Sequence, residues 1–198
     1  MNSWEIKGRT LEFLDETHTY LVDGVIVPSV TQLLGRKFSH KYDNIPAETL
    51  RKAAERGTAI HKSIENYCVS HVESDLIELH DFKFLKKMYQ FEVMENELPI
   101  ILDLGGKTYA GRLDMILKMN DKYSVADIKT TSTLDKEYLG HQLNLYRIGV
   151  EQCYDYRIEE LYGIHLKEGK RKLVKIPIKE EEWLLQSLEL NHTTDDTE

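Results

Sequence analysis

Asp114 is followed, after twelve intervening residues, by Asp127-Ile128-Lys129, inside the stretch AGRLDMILKMNDKYSVADIKTT. Both acids and the lysine fall on β-prone runs separated by the polar turn Asn120-Asp121. Period two sends Val125, Asp127 and Lys129 to one face of the second run, and Ser124, Ala126 and Ile128 to the other. Pairing about the turn is not expected to set Asp114 directly opposite Asp127, so a bulge or a splay of the strands is expected to bring them together. Two carboxylates and a backbone carbonyl, here that of Ile128, are oxygen donors of the kind that Mg2+ and Mn2+ take. A cation held there makes its water more acidic and offsets charge building on a phosphodiester. Lys129 is a compact cation that can orient the water or share that charge. A lone D-x-K is most often a solvated hairpin pair. Here the flanking apolar residues make the strand central and buried, where charges are seldom left unpaired.

Two further pairs stand at helical spacing. His61 and Glu65, four apart, share a helix face in RGTAIHKSIE, and an imidazole is a metal ligand that favours manganese over magnesium. In isolation such a pair is ordinarily a surface contact. Gln142 and Tyr146 share a face with Leu139, Leu143 and Val150, so that face looks inward. A buried Gln and Tyr need partners, which are either the strand carrying Lys129, a nucleotide, or simply each other.

The elements that must position these residues follow from periodicity and breakers. Runs at 11–14, 19–22 and 25–27 around the Asp23-Gly24 turn read as a hairpin. Ser29 caps a helix that Gly35 stops, and Gly57 divides 47–55 from a helix over 58–69. A third helix is expected over 74–95. Strands at 98–102, 107–117 and 122–130, joined by Gly105-Gly106 and Asn120-Asp121, are followed by a helix over 135–151. A strand pair around Glu168-Gly169-Lys170 and a last helix over 180–190 complete the order. The expected fold is α/β, a central mixed β-sheet flanked by helices with an N-terminal β-hairpin and helical segment. It forms one domain over 1–190, divided into 1–56, a core at 57–178 and a C-terminal helix at 179–190, before a polar tail at 191–198.

Composition narrows the classes. The chain has 198 residues, 41% hydrophobic and 30% charged, which suits one soluble domain with a sizeable core. A net charge of −8 speaks against a general nucleic-acid binder but is compatible with clustered carboxylates around a bound cation. No apolar run reaches the ~18 residues that span a bilayer, and the N-terminus lacks a signal pattern, so a cytoplasmic protein without membrane contact is expected. Cys68 and Cys153 are the only cysteines, which excludes a four-cysteine zinc site or iron–sulfur cluster. Scattered tyrosines at 20, 42, 67, 89 and 109 offer stacking surfaces, although such residues usually serve core or surface.

Gly57-Thr58-x-x-His61-x-x-x-Glu65, Gly111-x-x-Asp114, Asp127-x-Lys129 and Gln142-x-x-x-Tyr146, in this order, resemble the four motifs of the RecB-like branch of the PD-(D/E)XK nuclease superfamily. The opening Asp23-Gly24 with Val27-Pro28-Ser29-Val30-Thr31 resembles the start of its phage and prophage exonucleases. The resemblance implies a restriction-endonuclease-like core and a Mg2+- or Mn2+-dependent DNA exonuclease of phage recombination or processing. It implies His61, Asp114, Asp127 and the Ile128 carbonyl as metal ligands, and Lys129 as the catalytic lysine beside Asp114 and Asp127. Gln142 and Tyr146 become a supporting, DNA-contacting pair, with Glu65 a further candidate. Its partners would be DNA with free ends and a recombinase or single-strand-binding protein. No Walker-type phosphate loop occurs, so unwinding would fall to a partner. The alternatives are an endonuclease or nickase of the same fold, a non-catalytic DNA-end-binding or protein-binding module, and an enzyme acting on RNA.

Overall fold

The computed structural model describes residues 1–38, 41, 45–167 and 169–190. Tyr42, Glu168 and the tail 191–198 lie outside the described residues. Asn2–Ile6 (β1), Arg9–Leu14 (β2), Thr19–Val22 (β3) and Val25–Val27 (β4) form an antiparallel meander in chain order. The expected hairpin is thus part of a four-stranded sheet. Lys7-Gly8 and Asp23-Gly24 both hold left-handed backbone, with φ of 46° and 80°, and 52° and 78°, as a tight two-residue hairpin turn requires. The Lys-Gly turn is a weaker sequence signal than Asp-Gly, which is why β1 was not foreseen.

Ser29 caps Val30–Phe38 (α1) through a reciprocal pair. Its Oγ accepts the Gln32 N–H at 3.0 Å, and Gln32 Oε1 accepts the Ser29 N–H at 2.9 Å. Gly35 does not stop this helix. Leu33, Leu34 and Phe38 are buried on it, and packing outweighs the roughly 1 kcal/mol that a helical glycine costs. Gly57 likewise does not divide Ala47–Ser70 (α2), which is one helix. A side chain at Gly57 would stand 3.4 Å from Thr130 Oγ1, so this glycine serves a close approach. Ile77–Tyr89 (α3) ends sooner than expected, because Gln90 adopts a left-handed φ of 56°.

The chain then enters the main sheet. Glu92–Leu104 (β5), Lys107–Met119 (β6) and Lys122–Lys129 (β7) are consecutive antiparallel strands. Their turns, Gly105-Gly106 and Asn120-Asp121, have positive φ at both residues. Lys136–Cys153 (α4) crosses to Ile158–Lys167 (β8), which runs parallel to β7, and Lys170–Ile176 (β9) returns antiparallel. Glu181–Ser187 (α5) follows. The sheet is mixed, in the order β5-β6-β7-β8-β9.

Residues 124–128 of β7 are buried, and alternation divides them between two cores. Ala126 and Ile128 pack with Ile60 and Ile64 of α2 and with Leu79 and Phe82 of α3. Val125 lies in the larger core with Leu139, Leu143 and Tyr146 of α4 and with the N-terminal sheet. Beyond β5 the end of α4 bonds the outer strand directly. Cys153 Sγ accepts the Ile101 N–H and donates to the Ile101 carbonyl, both at 3.1 Å. The Gln152 amide does the same for Asp103, at 2.9 and 3.0 Å, and the Tyr154 hydroxyl donates to the Pro99 carbonyl at 2.6 Å. Among the described residues no helix is long and apolar enough to cross a membrane.

Candidate active site

Register, not bulging, gathers the acids. β6 pairs with β7 from Met119↔Lys122 to Met115↔Ala126, and one further step sets Asp114 level with Asp127. The expectation that the turn would misalign them is therefore corrected. The splay is present, since the ladder ends at Met115↔Ala126 and Asp114 Oδ2 accepts the Ile128 N–H at 2.6 Å. On the other side of β6, the pairs Asn96↔Met115 and Leu98↔Leu113 place Glu97 level with Asp114. Glu97, Asp114 and Asp127 thus form a row across three strands. Glu97 has a φ of 49°, a costly conformation for a side-chain-bearing residue within a strand. Leu113 belongs to the larger core and Met115 to the smaller, so β6 turns its faces at Asp114.

α2 delivers His61 to this row. Nε2 lies 3.1 Å from the Ile128 carbonyl, and Nδ1 lies 3.4 Å from Asp114 Oδ1. Burial lowers the basicity of His61, but the charge and hydrogen bonding of Asp114 outweigh it and lift the pKa to about 9. Burial pushes the pKa of the part-buried Asp114 up, yet His61 holds it below the ordinary value. His61, Glu97 and Asp114 each place a ligand atom within 4.8 Å of the others. Glu97 was not foreseen. Burial, then the charge of Asp114, raises its pKa, and Arg112 partly offsets this from 2.7 Å.

Asp127 faces Lys129 instead, with Oδ2 2.5 Å from Nζ, and no hydrogen bond of good geometry reaches that oxygen. Burial raises its pKa to about 6; Lys129 opposes the shift and Asp114 adds to it. Burial lowers the pKa of Lys129, but Asp127 and then Asp114 reverse this and hold it above the ordinary lysine value. In this state the ammonium is a proton donor. Lys129 Nζ also donates to Gln142 Oε1 at 2.9 Å, and Gln142 hydrogen-bonds Tyr146 in turn. Burial pushes the Tyr146 hydroxyl well above its usual range.

Asp135 places α4 for this contact by accepting the Glu137 and Tyr138 N–H groups at 3.1 and 3.0 Å. Gly111 lets α4 come close, since a side chain there would meet the Tyr146 ring at 3.1 Å. Gln142 and Tyr146 are 5% and 4% exposed, so they sit behind Lys129 and offer no surface to a nucleic acid. Tyr20 and Tyr109 are likewise buried. Glu65 lies on the wall of the cavity in front of His61 and Glu97, a space of about 470 Å³, where Lys62 meets it at 2.9 Å.

The carboxylates of Glu97 and Asp114 and the Ile128 carbonyl are hard oxygen donors, and the His61 imidazole adds a borderline nitrogen donor, a set able to hold a divalent cation. A cationic lysine braced from behind stands beside them. No family model matches the chain, and no curated protein does. Among solved structures the chain is similar to the crystal structure of SSO0001, at 19% identity and a TM-score of 0.48, over 82% of this chain and 73% of that one.

Proposed function

We propose that the protein is a divalent-metal-dependent phosphodiesterase acting on DNA, a RecB-like member of the PD-(D/E)XK superfamily with a restriction-endonuclease-like core. In this reading it is a cytoplasmic exonuclease of phage or prophage DNA recombination or processing, acting on free ends beside a recombinase or single-strand-binding protein. The observation that carries the reading is convergence. Residues from four separated motifs meet at one end of β7: His61 on Asp114 and the Ile128 carbonyl, Lys129 on Asp127, and Gln142 on Lys129. A structural ion-pair network would not require all of these types in this order.

His61, Asp114 and the Ile128 carbonyl would hold the cation, with Glu97 and Asp127 flanking Asp114 on either side. Mg2+ or Mn2+, when bound, supplies charge neutralisation at the phosphate and a more acidic water. Lys129, kept protonated by its carboxylates, donates to the phosphate or to the attacking water. Gln142 keeps the ammonium from collapsing onto Asp127 alone. Asp127, itself buried, holds the Lys129 ammonium charged and in place beside the cation site.

The test uses end-labelled linear duplex and a covalently closed circle, with Mg2+, Mn2+ or a chelator. Degradation of the linear DNA with either metal, an untouched circle and no reaction in chelator are expected. A cut circle assigns an endonuclease, and binding without degradation assigns a non-catalytic end-binding module. Asp127→Ala and Lys129→Ala are expected to fold and lose cleavage; unchanged cleavage by either variant sinks the assignment.

A further inference from the structure

Arg112 stands two residues before Asp114 on β6, on the wall of the same cavity. Its Nε lies 2.7 Å from Glu97 Oε2. The Phe13 ring of β2 lies 5.7 Å from its Cζ, and Tyr20 of β3 packs on Phe13 at 4.6 Å. The N-terminal sheet therefore supplies an aromatic bed for this guanidinium. Among the described residues the ion-pair partner of this guanidinium is Glu97. The other strong cation on the cavity wall, Lys62, is 61% exposed and committed to Glu65. Arg112, at 34%, is the anchored one.

Glu97 has two claimants. It belongs to the donor cluster with His61 and Asp114, and it is the carboxylate that balances Arg112. A divalent cation that draws on the Glu97 charge weakens the hold of Glu97 on Arg112, because one carboxylate charge is then shared between two cations. We propose that Arg112 binds a phosphate of the substrate strand beside the scissile bond, and that Glu97 holds it in reserve until Glu97 is drawn into metal binding. A planar fork of N–H donors suits phosphate oxygens better than a lysine does. The pairing with Glu97 meanwhile spares the empty cavity an unbalanced cation. The proposal rests on the phosphodiesterase reading and adds to it a phosphate contact whose availability depends on the metal.

Two measurements test it. The first is Mn2+ binding by calorimetry without DNA. Arg112→Gln is expected to bind Mn2+ several-fold more tightly, because a competitor for Glu97 and a nearby positive charge are gone. Glu97→Gln is expected to bind it more weakly, and the double variant to resemble Glu97→Gln. The second is DNA binding in Ca2+ across a salt series. Arg112→Gln is expected to weaken binding about tenfold and to lower the salt slope by about one released ion. Arg112→Lys is expected to fall between, which guards against a folding artefact in the glutamine variant. Unchanged or weaker Mn2+ binding by Arg112→Gln, or a wild-type salt slope, makes Arg112 a structural brace of Glu97 and overturns the proposal while cleavage by the wild type stands. A wild type that binds Mn2+ but neither binds nor cleaves DNA overturns the phosphodiesterase reading, and this proposal with it.

Discussion

Asp114 joins β6 to β7 through its side chain, because Oδ2 accepts the Ile128 N–H at 2.6 Å where the strand ladder has ended. The same carboxylate is thus both a structural acceptor and a candidate ligand, and two substitutions separate the roles. Asp114→Asn retains an acceptor for the Ile128 N–H and is expected to lose metal binding, together with the stability that the Asp114 charge gives through His61. Asp114→Ala leaves the Ile128 N–H without its partner and is expected to cost about 1–3 kcal/mol more. Urea unfolding of both variants, beside metal calorimetry, checks the difference.

The metal-free protein is expected to lose stability as pH rises. The pKa of His61 is raised from 6.5 to about 9 in the fold, so its contribution is fully present below pH 6.5 and is lost as pH climbs through 9. The loss is on the order of 3 kcal/mol. Asp127 acts in the same direction at lower pH, because its folded pKa of about 6 exceeds the ordinary 3.8, and stability falls as pH rises through 6. Urea midpoints in chelator from pH 4 to 9.5 are expected to decline in two steps. His61→Gln is expected to remove the upper step, and Asp127→Asn the lower.

Gln142 is expected to matter for turnover rather than for affinity. It gives the Lys129 ammonium a second acceptor, opposite Asp127, and is itself buried. A hydrogen bond to a charged group is worth about 1.5–3 kcal/mol, so Gln142→Leu is expected to lower kcat by roughly ten- to a hundredfold with KM little changed. A rise in KM with an unchanged kcat would place Gln142 on the substrate instead.

Gly111 has a packing role that a larger residue would break. A Cβ there would press on the Tyr146 ring at 3.1 Å and on Val30 at 3.4 Å. Gly111→Val is expected to cost about 1–3 kcal/mol by overpacking and to lower kcat by moving Tyr146, and with it Gln142. Tyr146→Ala in the same chain makes room and is expected to recover part of the lost stability, measured as Tm.

The site was legible where chemistry follows from type and order. Asp114, Asp127 and Lys129 were read from residue type and spacing, His61 and Gln142 from the resemblance, and all five meet. Glu97 was missed for a definable reason. The strand was expected to begin at 98, after a helix running to 95, whereas Gln90 ends the helix in a left-handed conformation and β5 starts at Glu92. Counting back from the two-residue Gly105-Gly106 turn along a strand of that length sets Glu97 beside Asp114, and the Asn120-Asp121 turn sets Asp114 beside Asp127. Both turns were identified, but strand length was not, because alternation fades at the charged start of β5. The unbroken α2 was illegible for the opposite reason. Gly57 carries a local signal to stop, and only the approach of Thr130 shows why a glycine is used mid-helix.

The bonds from the end of α4 to β5 bear on what the sheet can join. On an outer antiparallel strand, alternate residues turn their N–H and C=O away from the neighbour. Here these are Pro99, which has no N–H, Ile101 and Asp103. Tyr154, Cys153 and Gln152 engage the groups that remain. Over 99–103 this border therefore offers no template for another strand, whether from a peptide or from a second copy. The opposite border, β9, is guarded differently, by Lys170, Arg171, Lys172 and Lys175 along its length, whose like charges repel an incoming copy of themselves. One margin is closed over 99–103 by a phenol, a thiol and an amide, and the other is guarded by charge, so a sixth strand is opposed by different means at the two borders.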